Sequence, residues 1–254
     1  MNRQTGFSLI DLMISMVISL VVVGAIGSMY LNMKESFVTQ QAQAELQDSA
    51  RFTGTMMTAI LRQAGYIPFD AATVGRKDDI FTAITGAFPA AGQVVSGTEA
   101  TLSSVDVYQE DGSTVQQSFP DDAISIRFVG GASMFDCLGG AAPDGEQLVE
   151  RFSLVSSALQ CNHTNISTST TDSDLLVGQN LGSRKEQIRV VGMLVWYGLD
   201  TDGNLSVDQY RRANAVNSAG AWKQVKSAAI ILTVQSGELI PKNLTYVVHF
   251  PNAV

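Results

Sequence analysis

The chain has 254 residues, enough for one large domain or two small ones, and its net charge is −8, from 24 acidic and 16 basic residues. Because nucleic-acid affinity comes mainly from lysine and arginine contacts to phosphates, this acidity argues against a nucleic-acid partner. Charged residues make up only 16% of the chain, which favours an extracytoplasmic, β-rich protein over a cytosolic enzyme.

The first predicted element is an apolar helix of membrane length. Residues 12–31 carry no formal charge, and a helix of these 20 residues spans about 30 Å, the thickness of a hydrocarbon core. The acid at the head of this run, Asp11, is unusual, because a charge at the centre of a bilayer costs roughly 2.5–3.5 kcal/mol. A cleaved signal peptide and a plain membrane anchor are alternatives. The long apolar run and the single basic residue before it, Arg3, disfavour the signal peptide.

Residues 6–11, GFSLID, resemble the class III signal of type IV pilins and pseudopilins, whose consensus is G-F-(T/S)-L-(I/V)-E. The resemblance implies that a prepilin peptidase removes a leader of residues 1–6 by cutting between Gly6 and Phe7, and that it methylates the new N-terminal Phe7. It further implies that residues 7–31 form a transmembrane helix that joins the filament core. We therefore expect a single pass through the inner membrane with a periplasmic C-terminal domain.

The same resemblance gives Asp11 a role. In the family, the carboxylate at this position pairs with the N-terminal amine of a neighbouring subunit, and here that amine belongs to Phe7. Buried charges persist when they are paired, and removal of one partner strands the other. We therefore expect Asp11 to dock subunits rather than to catalyse a reaction. Aspartate stands where the family usually has glutamate, so the carboxylate reaches one methylene less far.

The helix is expected to continue beyond the membrane over residues 32–65. Apolar side chains recur at steps of three and four residues, for example at Leu46 and Ala50, which predicts an amphipathic helix packed on a domain. Gly65 is a typical helix terminator. The ending LRQAGY at residues 61–66 is similar to that of PilW-type minor pilins, although the Gly-Cys that often follows in that family is absent.

After Tyr66 the pattern changes to short apolar runs bounded by Gly-, Asp-, Ser- and Pro-rich stretches, which predict strands. Residues 164–174 are rich in Ser, Thr and Asp and are expected to form an exposed loop. A long helix followed by a mainly antiparallel sheet predicts an α+β, type IV pilin-like fold with residues 66–254 as a periplasmic β-rich domain. The predicted strands are 104–109, 123–129, 147–154, 187–196, 226–234 and 244–250.

The two cysteines are Cys137 and Cys161. In an oxidising periplasm they are expected to form a disulfide. A metal site at this position needs more ligands, because His163, two residues after Cys161, is expected to be a solvated histidine in a polar stretch. We expect no cofactor.

Residues 197–206, YGLDTDGNLS, have two interpretations. An Asp-Gly pair between two apolar runs is typical of a hairpin turn. Calcium binding is the weaker interpretation, because Gly198 and Gln209 fall at loop positions where an EF-hand needs carboxylates. The calcium candidates are Asp200, Asp202, Asn204 and Asp208.

No enzymatic activity is expected. The chain has only two histidines, His163 and His249, and it lacks the Gly-x-Ser-x-Gly, phosphate-loop and His-Glu-x-x-His motifs. The acidic pairs Glu110-Asp111 and Asp121-Asp122 lie beside turn residues and are expected to be solvated.

The resemblance to PilW-type minor pilins implies a structural subunit that helps to initiate a type IV pilus. Its expected partners are the major pilin, other minor pilins in a complex at the pilus tip, and a tip adhesin. A J-type pseudopilin in the tip of a type II secretion system has the same signal and is the first alternative. A ligand-binding pilin for adhesion or DNA uptake is the second, for which Arg211-Arg212 offers a local basic patch on an acidic chain.

Overall fold

The structure is a computed structural model that describes residues 9–69, 77–109, 113–177, 188–237 and 239–253. The predicted cleavage residues, Gly6 and Phe7, lie outside these ranges. The chain divides into two compact units, Met1–Glu45 and Leu46–Val254. The described part of the first unit is helical, and all of the described strands belong to the second.

A single helix, α1 (Leu9–Leu61), begins in the first unit and ends in the second. After Leu61 the helix gives way to tighter turns, in which the N–H groups of Gln63 and Ala64 donate to carbonyls three residues earlier. Gly65 then adopts a φ of 74°, a left-handed conformation that glycine takes without strain. The Gly65 N–H donates to the Arg127 carbonyl at 2.9 Å, so the chain leaves the helix bonded to a strand. Residues 62–65 form turns, so the helix ends four residues before its predicted limit at residue 65.

The part of α1 in the second unit packs on the sheets through one face, as its periodicity predicts. Leu46 and Met57 are buried on this face. Gly54 lies on it as well, where a Cβ would overlap the ring of Tyr246. The Tyr246 hydroxyl donates to the Ala50 carbonyl at 2.8 Å. The glycine inside this helix is therefore explained by the close approach of an aromatic ring.

Three short helical segments follow α1 in the described residues: α2 (Lys77–Ile80), α3 (Ala213–Ser218) and a 3-10 turn at Trp222–Gln224. The described strands are β1 (Val95–Thr98), β2 (Ser103–Tyr108), β3 (Thr114–Phe119), β4 (Ala123–Val129), β5 (Gln147–Val155), β6 (Ala158–Asn165), β7 (Thr170–Val177), β8 (Ile188–Leu199), β9 (Gln209–Arg211), β10 (Val225–Ser236) and β11 (Lys242–His249).

These strands form three sheets with antiparallel pairing. A five-stranded sheet has the order β1-β4-β5-β6-β7, a four-stranded sheet has the order β11-β10-β8-β9, and β2 pairs with β3. Alternate residues of β10, such as Leu232 and Val234, face α1 and lie with Leu244 and Tyr246 around its buried stripe. The predicted α+β class, a long N-terminal helix with antiparallel sheets packed on its C-terminal part, is confirmed.

The exposed loop predicted over residues 164–174 is wrong, because this stretch contributes to β6 and β7. The two strands pair from Leu159↔Val177 to Asn165↔Thr170, and the hydroxyls of Thr164 and Thr171 lie 3.2 Å apart across them. β7 is largely exposed, so its polar composition resembles that of a loop. Threonine nonetheless favours the extended backbone, and cross-strand hydroxyl pairs stabilise it.

Candidate functional site

The first functional feature is the exposed apolar surface of α1 in the first unit. Every large apolar side chain from Leu9 to Phe37 is exposed, with exposed fractions from 49% at Val22 to 76% at Leu9 and Leu20. By length and composition this helix is able to cross a membrane. A helix that is apolar on all sides is stable when lipid or other helices surround it.

Asp11 lies in the first turn of this helix. A carboxylate is favoured there, because the N-terminal end of a helix carries a partial positive charge. The nearby hydroxyls of Ser15 and Ser19 donate to backbone carbonyls one turn earlier, at 2.8 Å to Asp11 and 2.7 Å to Ser15. These hydroxyls are therefore satisfied inside the helix, which suits an apolar surrounding. The docking role of Asp11 remains a prediction, because Phe7 lies outside the described residues.

The second feature is a buried group of polar side chains around a disulfide. Cys137 and Cys161 are joined in the structure, with their Cα atoms 6.3 Å apart, and neither is exposed. The bond ties the segment before β5 to β6 and closes a loop of 24 residues. The chain-entropy treatment gives such a loop a stabilisation of about 3–4 kcal/mol.

His163 belongs to this group, which corrects its predicted exposure to solvent. It lies on β6 with 8% of its surface exposed, and its Nδ1 is 2.7 Å from Oε1 of the fully buried Glu150 on β5. Burial raises the pKa of Glu150 to about 7, although its hydrogen bond with His163 acts to lower it. Glu150 was not a sequence candidate, because its proximity to His163 depends on the register of β5 against β6.

The third feature is the aspartate-rich turn between β8 and β9, where the predicted hairpin is present. Asp200 Oδ1 accepts from the N–H groups of Gly203 and Asn204 at 2.7 and 3.1 Å, and its Oδ2 accepts from Leu205 N–H at 3.0 Å. Asp208 accepts from the backbone N–H and the hydroxyl of Thr201, both at 2.7 Å. The carboxylates therefore hold the turn through hydrogen bonds to its own backbone.

The four calcium candidates lie together in this turn. Asp200, Asp202 and Asp208 each place one carboxylate oxygen within 4.8 Å of the others. Asn204 donates its side-chain N–H to Asp202 Oδ2 at 2.9 Å. The carboxylates already accept hydrogen bonds from the turn, so the geometry explains their clustering by local structure, and calcium binding stays a prediction.

The buried Asp122 and the half-buried Arg212 form an ion pair that the sequence did not indicate. Asp122 is 2% exposed, and its two carboxylate oxygens lie 2.9 and 3.0 Å from Arg212 Nη2. Arg212 also lies 3.6 Å from Glu99 and stacks near Trp196, at 5.7 Å from its ring centroid. The expectation that Asp122 is solvated is therefore wrong. Arg212 is engaged with two acids, so the Arg211-Arg212 patch is reduced to the exposed Arg211.

Comparison with known proteins finds two matching family models and a similar solved structure. Residues 146–246, from the start of β5 into β11, match the family model described as Type IV Pilus-assembly protein W. Residues 1–27 match the prokaryotic N-terminal methylation motif. A type IV-like pilin from Thermus thermophilus is similar in structure, with a TM-score of 0.43 and 14% identity over 82% of this chain and 98% of that one. No curated protein matches the chain.

Proposed function

Because the chain is a type IV minor pilin of the PilW type, we propose that it helps to initiate pilus assembly and lies in a complex at the pilus tip. Its family and fold are those of structural pilins and not of enzymes. The methylation motif indicates processing by a prepilin peptidase and anchoring in a membrane. The proposed partners are other minor pilins, the major pilin and a tip adhesin.

The observation that carries this proposal is the exposed apolar helix with Asp11 in its first turn. Full burial of one large apolar side chain contributes about 1.5–3 kcal/mol relative to exposure to water, so either lipid or the helices of neighbouring subunits would stabilise this surface. An Asp11 carboxylate about 4 Å from the Phe7 amine of a neighbour would contribute about 4 kcal/mol at an effective dielectric of about 20. The charged pair fixes the register of two helices that otherwise slide freely on apolar contacts.

In the proposed pathway the precursor crosses the inner membrane once, with the β-rich unit in the periplasm. The peptidase removes residues 1–6 and methylates Phe7. The chain then leaves the bilayer for the filament, where helices of other subunits replace lipid around residues 7–31. An anchor that is exposed on all sides suits both surroundings, because lipid tails and helix side chains are equally apolar.

Two alternatives share parts of this proposal. A J-type pseudopilin of a type II secretion system would use the same signal and helix in a different machine. A DNA-uptake pilin needs exposed cations, and the engagement of Arg212 by Asp122 and Glu99 removes half of the local basic patch. The structure therefore favours assembly over nucleic-acid binding.

The test is a clean deletion in the native host with two readouts, sheared surface pili and secreted hydrolases. We expect pili to fall sharply and secretion to persist. Loss of secretion with normal pili would instead identify a pseudopilin, and an unchanged level of both would contradict either assembly role.

Complementation then tests the docking residue. Asp11→Ala is expected to insert in the membrane but to be absent from sheared pili, because it strands the neighbouring amine. Asp11→Glu is expected to be incorporated at least as well as wild type, because it restores the reach usual in the family. Asp48→Ala, an exposed acid further along the same helix, is the matched control and is expected to behave as wild type. Normal incorporation of Asp11→Ala would refute the docking role.

A further inference from the structure

Metal-binding atoms of three side chains lie within 4.8 Å of one another at the five-stranded sheet, and a fourth side chain contacts one of the three. They are two sulfurs, one carboxylate and one imidazole, from Cys137, Cys161, Glu150 and His163. Exposure is zero for the first three and 8% for His163. Their assembly combines the ligand types of tetrahedral zinc sites.

The backbone explains how these groups meet. Glu150 and His163 are direct cross-strand partners of β5 and β6, and Cys161 lies two residues before His163 on the same face. Cys137 reaches the same point from the segment before β5. Direct cross-strand partners have Cβ atoms about 4.5–5.5 Å apart, so sheet register alone brings Glu150 and His163 together, while Cys161 lies diagonal to Glu150. Sites on strands are more precise than sites on loops.

The distances are close to those of a metal centre. Glu150 Oε1 lies 2.7 Å from His163 Nδ1, and Glu150 Oε2 lies 2.8 Å from Cys137 Sγ and 3.7 Å from Cys161 Sγ. Bonds of about 2.0–2.3 Å to zinc separate the ligand atoms of a tetrahedron by about 3.3–3.8 Å. Shifts of less than about 1 Å bring the Glu150 oxygens to this spacing from His163 Nδ1 and Cys137 Sγ. The two sulfurs separate on reduction, and the His163 ring has to move towards them, because it lies outside the group of ligand atoms within 4.8 Å of one another.

Among the described residues, no lysine or arginine pairs with the buried carboxylate of Glu150 in the disulfide form. Its ion-pair partner among the described residues is the imidazole of His163. Glu150 also accepts a hydrogen bond from the backbone N–H of Cys137, and its other close neighbours are disulfide sulfurs, which carry no proton to donate. Buried carboxylates are normally paired with a full cation or bound to a metal. A divalent cation at the centre of the group would supply that charge.

We infer that the dithiol form of the chain binds one Zn²⁺ through the thiolates of Cys137 and Cys161, the imidazole of His163 and the carboxylate of Glu150. Binding releases the two thiol protons to solvent. A disulfide-containing oxidant then takes two electrons from the thiolates, its own disulfide becomes a dithiol, the Cys137–Cys161 bond forms and zinc leaves. Every chain is made with reduced thiols, so the zinc form precedes the disulfide form. Like the disulfide, it holds the segment around Cys137 against β6.

The test uses the full-length chain in detergent, reduced with a phosphine that does not bind metal, and Co²⁺ as the probe. We expect one Co²⁺ per chain, with the sulfur-to-cobalt charge-transfer band and the intense visible bands of a tetrahedral site, and displacement by Zn²⁺. The oxidised chain keeps the aspartate-rich turn but lacks free thiolates, and it is expected to give neither band. Absence of binding to the reduced chain, or equal binding to both forms, would overturn the inference.

Variants separate a four-ligand site from binding by cysteines alone. His163→Ala and Glu150→Gln are each expected to weaken Zn²⁺ affinity at least about tenfold, while His249→Ala, at the second histidine of the chain, leaves it unchanged. Zinc is also expected to slow the alkylation of both thiols at least about tenfold in wild type and in His249→Ala, but not in the other two variants. This measurement does not require a fully folded variant. Equal protection in His163→Ala and Glu150→Gln would show a cysteine-only complex and contradict the site.

Discussion

Replacing Arg127 with methionine tests how the segment before β1 is held on the five-stranded sheet. Arg127 on β4 is 1% exposed and lies between the rings of Phe81 and Phe88, at 5.1 and 4.7 Å from their centroids. Its guanidinium donates to the Thr82 carbonyl at 2.6 Å and to the Phe81 carbonyl at 3.1 Å. Further bonds go to the carbonyls of Ala90 and Gln93.

The balance of terms predicts a large loss of stability. Burial lowers the pKa of Arg127 to about 10, a desolvation cost on the order of 3 kcal/mol that methionine avoids. Against this, hydrogen bonds from a charged donor contribute about 1.5–3 kcal/mol each, and the cation–π contacts contribute about 0.5–2 kcal/mol each. The bonds outweigh the desolvation, and we expect Arg127→Met to lower the free energy of unfolding by about 3–5 kcal/mol.

The assay is thermal unfolding of the full chain in detergent, combined with hydrogen exchange of the segment between residues 77 and 94. Arg127→Lys is expected to fall between wild type and Arg127→Met, because an ammonium keeps the charge but lacks the planar fork that reaches several carbonyls. Arg211→Met, at an exposed arginine, is the control and is expected to change stability by less than about 0.5 kcal/mol. Equal stability of the Arg127 and Arg211 variants would refute the reasoning.

Two further predictions concern the helix and the turn. Gly54→Ala improves helix propensity by about 1 kcal/mol but forces a Cβ into the Tyr246 ring, so we expect a net loss of about 1–2 kcal/mol in thermal unfolding. The same substitution in a Tyr246→Leu background is expected to be neutral or stabilising, and a loss of the same size there would contradict the ring contact. Hydrogen bonds from Thr201 lower the pKa of Asp208 below its ordinary range. The ionised Asp208 carboxylate therefore stabilises the folded chain fully above pH about 3.9, and this contribution is lost as the pH falls through the pKa of Asp208 in the folded chain. Asp208→Asn is therefore expected to unfold at a lower temperature than wild type at pH 7, and the difference is expected to vanish in acid.

The elements that the sequence predicted are those set by local rules. A short window of sequence contains each of three such features. They are the recurrence of apolar residues every three or four positions in α1, the glycine that follows this helix, and the Asp-Gly turn between β8 and β9. Pairing of Cys137 with Cys161 needed only a count of two cysteines. The polar strand β7 was missed because an exposed strand and a loop share the same composition.

The buried polar groups were missed for a different reason. Asp122 and Arg212 are 90 residues apart in the chain, and Arg127 meets carbonyls 34 to 46 residues before it. Each such contact depends on strand order and register, which periodicity within one strand does not encode. His163 looked solvated because its sequence neighbours are polar, while its spatial neighbour Glu150 comes from another strand.

The Tyr246–Ala50 bond has a consequence for how the chain folds after synthesis. The two residues are 196 positions apart, and the ring that covers Gly54 belongs to β11. In the periplasmic placement proposed above, export from the N-terminus delivers the apolar stripe of α1 long before the strand that covers it. Contacts of such long range make folding slow and leave apolar surface open to aggregation meanwhile. The globular unit is therefore able to complete its folding only after β11 has been exported. A chain that is truncated before β11 keeps an uncovered apolar helix face, to which other apolar surfaces are able to bind.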